Sequence, residues 1–324
     1  AGVSAAIRAA AQAGVRTIMV TGDHPVTALA IARDLGLADR EEEVVTGAAL
    51  AATEPAERAA LMVRARVFAR MTPEDKLAVV QAAQAAGHCV AVTGDGVNDA
   101  PALRAADIGV AMGRGGTDVA REAAELVITD DHYASIIAGI EEGRIAHDNI
   151  RKIIYLLLST GAAEVLFVLL ALLTGAPLPL TPVQLLWINL VTNGIQDMAL
   201  GFERGERGVL ARPPRPPAAP IFDALMIRQS VLAALVMGVA GFAVFRGLLA
   251  AGWELGAARN ALLLLMVLFE NLHLLNCRSE TASAFAAPLS RSPVLLAGAA
   301  AALLLRLVMM HLPLGRLVLH TAPL

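Results

Sequence analysis

The sequence predicts an α/β parallel-sheet unit followed by an α-helical transmembrane bundle. The 324 residues are 56% hydrophobic with a mean hydropathy of +0.62, too apolar for a single soluble domain with an ordinary charged surface. The apolar residues are also unevenly spread. Residues 1–147 alternate short apolar runs with charged helical patterns, whereas residues 148–324 carry long apolar stretches.

In the first part, Arg16–Val20 (RTIMV) and His88–Val92 (HCVAV) each run into Thr-Gly-Asp, and Ile108–Met112 (IGVAM) runs into Gly113. Stretches of 3.6-residue period such as EDKLAVVQAAQ lie between them, so the order is strand, helix, strand, helix, strand, the pattern of a parallel sheet. In the second part, Ile153–Thr174, Val183–Phe202, Leu225–Ala251, Ala261–Leu275 (helical over about 259–276) and Pro293–Leu312 are predicted as five spans. A span needs roughly 20 mostly apolar residues, and Ala261–Leu275 is marginal by itself. Arg204, Arg207, Arg212 and Arg215 follow the second span, while the GAPLPLTP turn carries no Lys or Arg. The positive-inside rule therefore puts residues 1–147 in the cytoplasm, expected beside a bacterial plasma membrane. The opening AGVSAAIRAAAQAGVRTIMV has neither Met nor the order of a signal peptide, so truncation at the front is expected, and an odd number of spans predicts a further helix beyond residue 324.

Acidic and basic residues nearly cancel, at net charge -3, which excludes a global attraction for nucleic acid. Cys89 and Cys277 form no CxxC pair or metal-ligand spacing and are expected as inert packing residues. His88, His132 and His147 show no metal spacing either. Gly113, Gly115 and Gly116 lack the full dinucleotide-loop pattern and predict a turn before a helix. Ala211–Pro220 (ARPPRPPAAP) is expected as a stiff cytoplasmic connector.

The chemistry concentrates in TGDGVNDAPAL, Thr93–Leu103, where a strand should end in a loop. Ligands of parallel α/β sheets bind beyond the carboxyl ends of strands. Asp95 and Asp99 are hard oxygen ligands of the type Mg²⁺ takes together with water and phosphate oxygens, and Gly94 and Gly96 allow close backbone approach. The alternative for a bare GDG is an ordinary turn. Thr21, Gly22 and Asp23 end a second strand before a helix and could form an anion site, against the alternative that Thr21 is a helix cap. Lys76, in RMTPEDKLAVV, could supply a point charge to a phosphoryl oxygen, or simply be solvated.

Taken in order, VRTIMVTGDHPVTALAIA, FARMTPEDKLAVVQ, VAVTGDGVNDAPALRAADIGVAMG and DDHYASIIAGIEEGRIAHDNIRKIIYLLL resemble the second half of the phosphorylation domain of P-type ATPases, a haloacid dehalogenase-like fold. PVQLLWINLVTNGIQDMALGFERGE is similar to the sixth membrane helix of the calcium- and sodium-pump branch. The resemblance implies ATP-driven cation transport through an aspartyl-phosphate intermediate, with ATP as substrate and Mg²⁺ as cofactor. It implies that Thr21, in the Thr21-Gly22-Asp23 loop, and Lys76 contact the phosphoryl group, that Asp95 with Asp99 serves Mg²⁺, and that Asn98 and Asp99 organise that loop. The family's Asp-Lys-Thr-Gly-Thr motif occurs nowhere in these residues. The nucleophile, the actuator and nucleotide-binding domains and the first four membrane helices are therefore expected to precede residue 1.

An ionisable residue at the bilayer centre costs about 2.5–3.5 kcal/mol on insertion scales, so each one is a functional candidate. Glu164 and Asn193 fall near mid-span, Asp197 follows Asn193 by one helical turn, Gln196 and Thr192 add oxygens nearby, and Glu270 interrupts the fourth span. The resemblance implies that Glu164, Asn189, Asn193 and Glu270 coordinate the transported ion. Asn193 stands where calcium pumps place an Asp, Gly161 where they place an Asn, and Asp197 is an additional acid. Glu164, Asp197 and Glu270 are expected to converge on one cation in the lipid bilayer, Ca²⁺ or a similar hard ion first, with Na⁺, K⁺ or H⁺ as alternatives. The alternative for Glu164 and Glu270 is a neutral hydrogen-bonded contact between helices. Other functions compatible with the residues are a non-catalytic membrane protein derived from a pump and a membrane-tethered phosphatase.

Overall fold

A computed structural model describes residues 2–206, 208–216, 218–279 and 288–323; Arg207 of the positive-inside set and Pro217 of the expected connector lie outside the described residues. The chain forms two compact units, Ala1–Gly143 with Arg207–Ala219, and Arg144–Glu206 with Pro220–Leu324.

The first unit runs α1 (Val3–Gln12), β1 (Met19–Val20), α2 (Pro25–Leu35), β2 (Val44–Thr46), α3 (Gly47–Ala52), α4 (Pro55–Arg64), β3 (Val67–Ala69), α5 (Pro73–Ala85), β4 (Ala91–Gly94), α6 (Ala100–Ala105), β5 (Ile108–Met112), α7 (Asp118–Ala123) and β6 (Leu126–Ile128). All pairings are parallel, and they make two three-stranded sheets of order β1-β3-β2 and β4-β5-β6. In β3 the two-residue period sends Val67 and Ala69 into one apolar cluster with Ala28, Leu29 and Ala32 of α2, and Phe68 into another with Leu50, Met62 and Val79 of α3, α4 and α5. Both faces of this central strand are covered, as a parallel sheet requires, and Phe68 is completely buried. Burying such a side chain contributes about 2–3 kcal/mol. The strands predicted at Arg16–Val20 and His88–Val92 are shorter and later, because Arg16–Ile18 and His88–Val90 pair with no strand. Cys89 accordingly stands exposed beside the end of α5, a correction to its expected role in packing, while Cys277 is buried. Burial of the sulfur and the neighbouring Asp107 charge nevertheless push the Cys89 thiol up.

The second unit contains most of α8 (Tyr133–Thr174), then α9 (Pro182–Trp187), a π-helical turn Ile188–Thr192, α10 (Asn193–Gly201), α11 (Ala224–Ala250), α12 (Leu255–Asn276), α13 (Pro293–His311) and α14 (Pro313–Leu319). Helices α8, α11, α12 and α13 are each long and apolar enough to cross a membrane. The span predicted at 183–202 is instead a helical path divided by the π turn, and the marginal fourth span is extended back to Leu255. Gly238 and Gly241 let α11 approach α8 so closely that an added Cβ would lie 2.6 Å from Leu166 or 2.8 Å from the Phe167 ring. Outward-facing Leu172, Leu173, Leu232, Val236 and Leu304 remain exposed, as helix faces bathed in lipid should. One end of the bundle is closed by buried polar groups. Arg151 donates to Asp223 Oδ2 at 2.7 Å, Asn149 Nδ2 to the Glu203 carbonyl at 2.7 Å, and Arg278 to Ser292 Oγ at 3.0 Å.

Back in the first unit, the Gly113–Gly116 turn wraps one carboxylate, and helix α7 follows it as the glycines predicted. The backbone N–H groups of Gly113, Arg114 and Gly115 donate to Asp131 at 2.7, 3.0 and 2.6 Å, and those hydrogen bonds hold its carboxyl below the usual value of 3.8. The folded state therefore binds its proton more weakly than the unfolded chain. The stability this contributes is present above the unfolded value and is lost as pH falls through the folded one. Asp131 sits at φ 56, a conformation Asn also tolerates. Asp131→Asn should therefore lower the melting temperature at pH 7, with the gap to wild type closing below pH about 4. A gap independent of pH in thermal melts would contradict this account.

Candidate phosphoryl and cation sites

In the first unit the groups singled out from sequence are joined by one chain of hydrogen bonds. Thr21 continues β1: its N–H donates to the Phe68 carbonyl at 2.9 Å, and its own carbonyl accepts from Met71 N at 3.1 Å. The Asp23 carbonyl accepts from Arg70 N at 3.0 Å, so the Thr21-Gly22-Asp23 loop is stapled to the loop leaving β3. The Thr21 hydroxyl accepts from Asp23 N at 3.1 Å and donates to Asp23 Oδ2 at 3.0 Å. It does not cap the next helix. His24 does, accepting from Val26 N through Nδ1 at 3.3 Å.

The loop leaving β3 enters α5 through a capping box in which Thr72 Oγ1 accepts from Asp75 N and Asp75 Oδ2 accepts from Thr72 N. This places Lys76 in the first turn, where its Nζ donates to Asp99 Oδ1 at 2.7 Å. Their side chains are only 20% and 16% exposed, so this is a charge-assisted hydrogen bond of about 1.5–3 kcal/mol. Asp99 Oδ2 meanwhile accepts from Asp95 N at 3.3 Å and Gly96 N at 3.2 Å. Gly94 is required by this arrangement, since a Cβ there would stand 2.5 Å from the Asp99 Cβ. The Asp95 carbonyl accepts from Thr117 N at 2.8 Å. The Asp95 backbone is thus fixed on both sides, while its side chain is exposed and accepts no hydrogen bond among the described residues. Asn98 is exposed in the same 3₁₀ turn, Val97–Asp99. An ammonium, a hydroxyl and an exposed carboxylate thereby stand at strand carboxyl ends, a donor set for a phosphate and a hard cation.

In the second unit, Asn189 Nδ2 donates to both oxygens of Glu164, at 3.0 and 2.8 Å. Asn193 Nδ2 donates to Asn189 Oδ1 and to Thr160 Oγ1, each at 3.4 Å, and Thr192 Oγ1 donates to Glu270 Oε2 at 3.2 Å. The π turn Ile188–Thr192 contains Asn189 and ends immediately before Asn193, and such single-turn bulges are frequent at functional positions. Asn193 and Glu270 are wholly buried and Glu164 nearly so. The expected convergence is looser than three touching carboxylates: among the described residues no three His, Cys, Asp or Glu side chains form a metal-sized group. Amide and hydroxyl oxygens are interleaved among the acids instead.

Four acceptor oxygens in this region are buried without a hydrogen-bond donor among the described residues: Asn193 Oδ1, Gln196 Oε1, Asp197 Oδ1 and Glu270 Oε1. Two participants were missed from sequence. Thr160 lies one turn before Glu164 and shares its face, a legible signal. Asn271 accepts from Gln196 Nε2 at 2.9 Å and donates to the Ala299 carbonyl at 3.1 Å; only the packing of α10, α12 and α13 shows it.

Comparison with known proteins gives two family matches, a haloacid dehalogenase-like hydrolase over residues 1–107 and the carboxy-terminal domain of cation-transporting ATPases over residues 177–324. A probable cation-transporting ATPase F of Mycobacterium tuberculosis is 43% identical over 100% of this chain and 36% of its own length. A calcium-transporting ATPase of Bacillus subtilis is 42% identical over 98% of the chain and 36% of its own length. The cation-transporting ATPase pma1 of Synechocystis is 37% identical over 98% and 36%. The chain thus spans 36% of the length of these curated relatives.

The Asp99 geometry has a local consequence. Asp99→Asn keeps the shape but replaces a charged acceptor by a neutral one, with a loss of about 1–2 kcal/mol. Amide hydrogen exchange at Asp95 and Gly96 should quicken by about tenfold, as a loss near 1.4 kcal/mol implies, while the β3 amides stay protected. Unchanged exchange at Asp95 and Gly96 would show that Asp99 does not hold the loop.

Proposed function

Because this chain belongs to the cation-transporting ATPases, carrying their carboxy-terminal domain behind a haloacid dehalogenase-like domain, we propose that it supplies the phosphate-site groups and part of the cation pathway of a P-type pump. The pump transfers the γ-phosphoryl group of ATP to an Asp carboxylate, releasing ADP, and water later cleaves the acyl phosphate. That Asp comes from outside these 324 residues, which contain no Asp-Lys-Thr-Gly-Thr. The actuator and nucleotide-binding parts and further membrane helices are its partners.

Lys76 offers its ammonium and Thr21 its hydroxyl to the phosphoryl oxygens, with Gly22 leaving the backbone of that loop accessible and Asp23 holding the hydroxyl in place. The exposed, unengaged carboxylate of Asp95 fits the hard-oxygen preference of Mg²⁺ and would hold that ion, which when bound neutralises phosphoryl charge. Asp99, grouped with Asp95 from sequence, has both oxygens engaged and acts with Asn98 to shape the loop.

The observation that carries cation transport is the set of four buried acceptors without donors, on consecutive turns of α10 and on α12. A cation is the ligand class that meets several acceptors at once. Asn189, Asn193, Gln196, Glu164, Asp197 and Glu270 favour a hard, oxygen-preferring ion, Ca²⁺ first, with Na⁺, K⁺ and H⁺ as alternatives. Residues 1–147 face the cytoplasm, in accord with Arg204, Arg212 and Arg215 after α10, and the pump belongs in a bacterial plasma membrane.

In the full-length transporter, Glu164→Gln and Asp197→Asn should each abolish cation-stimulated phosphorylation from ATP while leaving phosphorylation from inorganic phosphate intact. Wild-type cation affinity in both variants would refute the pathway. Asp95→Asn should reduce Mg²⁺-dependent phosphorylation by about 100-fold or more; a phosphoenzyme level at low Mg²⁺ equal to wild type would remove Asp95 from the site.

A further inference from the structure

Helix α14 and the residues after it make contacts that the proposed chemistry does not use. Leu319 is wholly buried, in one cluster with Phe167, Ile188 and Met266. Ile188 opens the π turn that presents Asn189, Phe167 follows Glu164 by three residues, and Met266 precedes Glu270 by four. Leu319 therefore belongs to the one apolar cluster that also joins the three helical segments carrying the proposed cation groups.

Polar contacts fix it there. Gln184, completely buried in α9, accepts from Thr181 N through Oε1 at 2.9 Å and donates through Nε2 to the Leu319 carbonyl at 2.9 Å. The same amide thus caps the helix that leads into the π turn and holds the terminal segment against it. On α12, Asn260 Nδ2 donates to the Ala322 carbonyl at 2.7 Å. The Asn260 acceptor side is held in turn by the guanidinium of the wholly buried Arg306 on α13, which donates to the Asn260 carbonyl at 2.9 Å and to its side-chain oxygen. Gly256 leaves room for the segment after α14, because a Cβ there would lie 3.1 Å from the Ala322 Cβ. The segment's own shape is set at Gly315, where a Cβ would meet the Met309 carbonyl at 2.1 Å, and by Arg316 Nε donating to the Met310 carbonyl at 3.0 Å.

We propose that residues 313–322 form a positioning strap that holds α9 against α12, sets the register of the Ile188–Thr192 turn, and thereby sets cation affinity. This rests on the cation pathway proposed above. Gln184 and Leu319 touch no cation-site group, so they act through Ile188 and the helix start. Losing the strap leaves the number of ligands unchanged and loosens their spacing, which weakens ion binding without altering phosphate chemistry.

The test uses the full-length transporter in lipid nanodiscs, with ATPase activity titrated separately with Ca²⁺, Mn²⁺, Na⁺ and K⁺. Gln184→Glu keeps the cap on Thr181 N but removes the amide donor and turns an anionic oxygen toward the Leu319 carbonyl. The half-saturating concentration of the stimulating cation should rise by about fivefold or more, with phosphorylation from inorganic phosphate unchanged. Leu319→Ala should do the same and Leu319→Met should return to within about twofold of wild type. Gly256→Ala, which pushes on Ala322 from outside the buried cluster, should shift affinity in the same direction and serves if Leu319→Ala fails to fold. A half-saturating concentration unmoved in Gln184→Glu and Gly256→Ala overturns the strap, since a merely structural contact would change the amount of folded enzyme and not its affinity. A wild-type enzyme that answers to none of the four cations overturns instead the cation reading beneath it.

Discussion

The interior of a bilayer offers no hydrogen bonds, and nearly everything in the second unit follows from that constraint. Hydroxyls are turned back onto their own helices: Ser159 donates to the Tyr155 carbonyl and Thr160 to Leu156, while Thr192 shares its one proton between the Ile188 carbonyl and Glu270 Oε2. Amides are paired across helices, as Gln196 with Asn271 and Asn189 with Glu164. What remains is weighted toward acceptors, although Trp187 Nε1 and His273 Nε2 are unmatched as well. Around Glu270 the unmatched groups of Asn193, Gln196 and Asp197 are oxygens that accept, and each unmatched buried acceptor costs about 1–3 kcal/mol. A structure that tolerates several of them together has to recover that free energy elsewhere or from a ligand.

The π turn is the local device that makes the asymmetry possible. In an unbroken α-helix Asn189 and Asn193 would stack one above the other on a single face. The wider turn at Ile188–Thr192 lets Asn189 close over Glu164 on α8 while Thr192, three residues on, meets Glu270 on α12. One short helix thus addresses two neighbours. Composition carries no trace of this, because INLVT is apolar enough to pass for part of a uniform span, and the register of a helix depends on hydrogen bonds rather than on hydropathy.

The legible parts of the molecule are those in which local chemistry decides the outcome. Thr93–Leu103 was readable as a strand end and loop because glycine and aspartate there serve one another, Gly94 making space for the carboxylate of Asp99. The capping box at Thr72 and Asp75 is likewise written in adjacent residues. Strands β2, β3 and β6, three residues each, were not read, since so short a run has no period to detect and forms only because a neighbouring strand is present. The same limit hid the division into two sheets. In the candidate cation region the acids and amides were visible as costly intramembrane groups, whereas Asn271 and the buried amide of Gln184 acquire meaning only from helices distant in sequence.

The two ends of the membrane unit are built differently, and the difference bears on where motion is tolerated. At the end holding Arg151 and Arg278, buried cations meet the Asp223 and Glu203 carboxylates and the Ile221 and Pro288 carbonyls, an arrangement strongly destabilised when any one partner is removed. At the other end no carboxylate takes part in the contacts: Gln184 donates to the Leu319 carbonyl, Asn260 to the Ala322 carbonyl, and the buried Arg306 guanidinium to Asn260, its Nε and Nη1 unmatched among the described residues. Neutral hydrogen bonds contribute about 0.5–1.5 kcal/mol each, small enough to be exchanged against the free energy of ion binding. A helix pinned by charge at one end and by amides at the other can shift at the second without unfolding at the first. On the cation pathway proposed above, the unmatched oxygens around Glu270 would give such a shift its driving force, because a bound cation would stabilise whichever arrangement brings them together by RT ln(1 + [L]/Kd). On that proposal, affinity and local stability in this bundle are the same quantity measured in two ways.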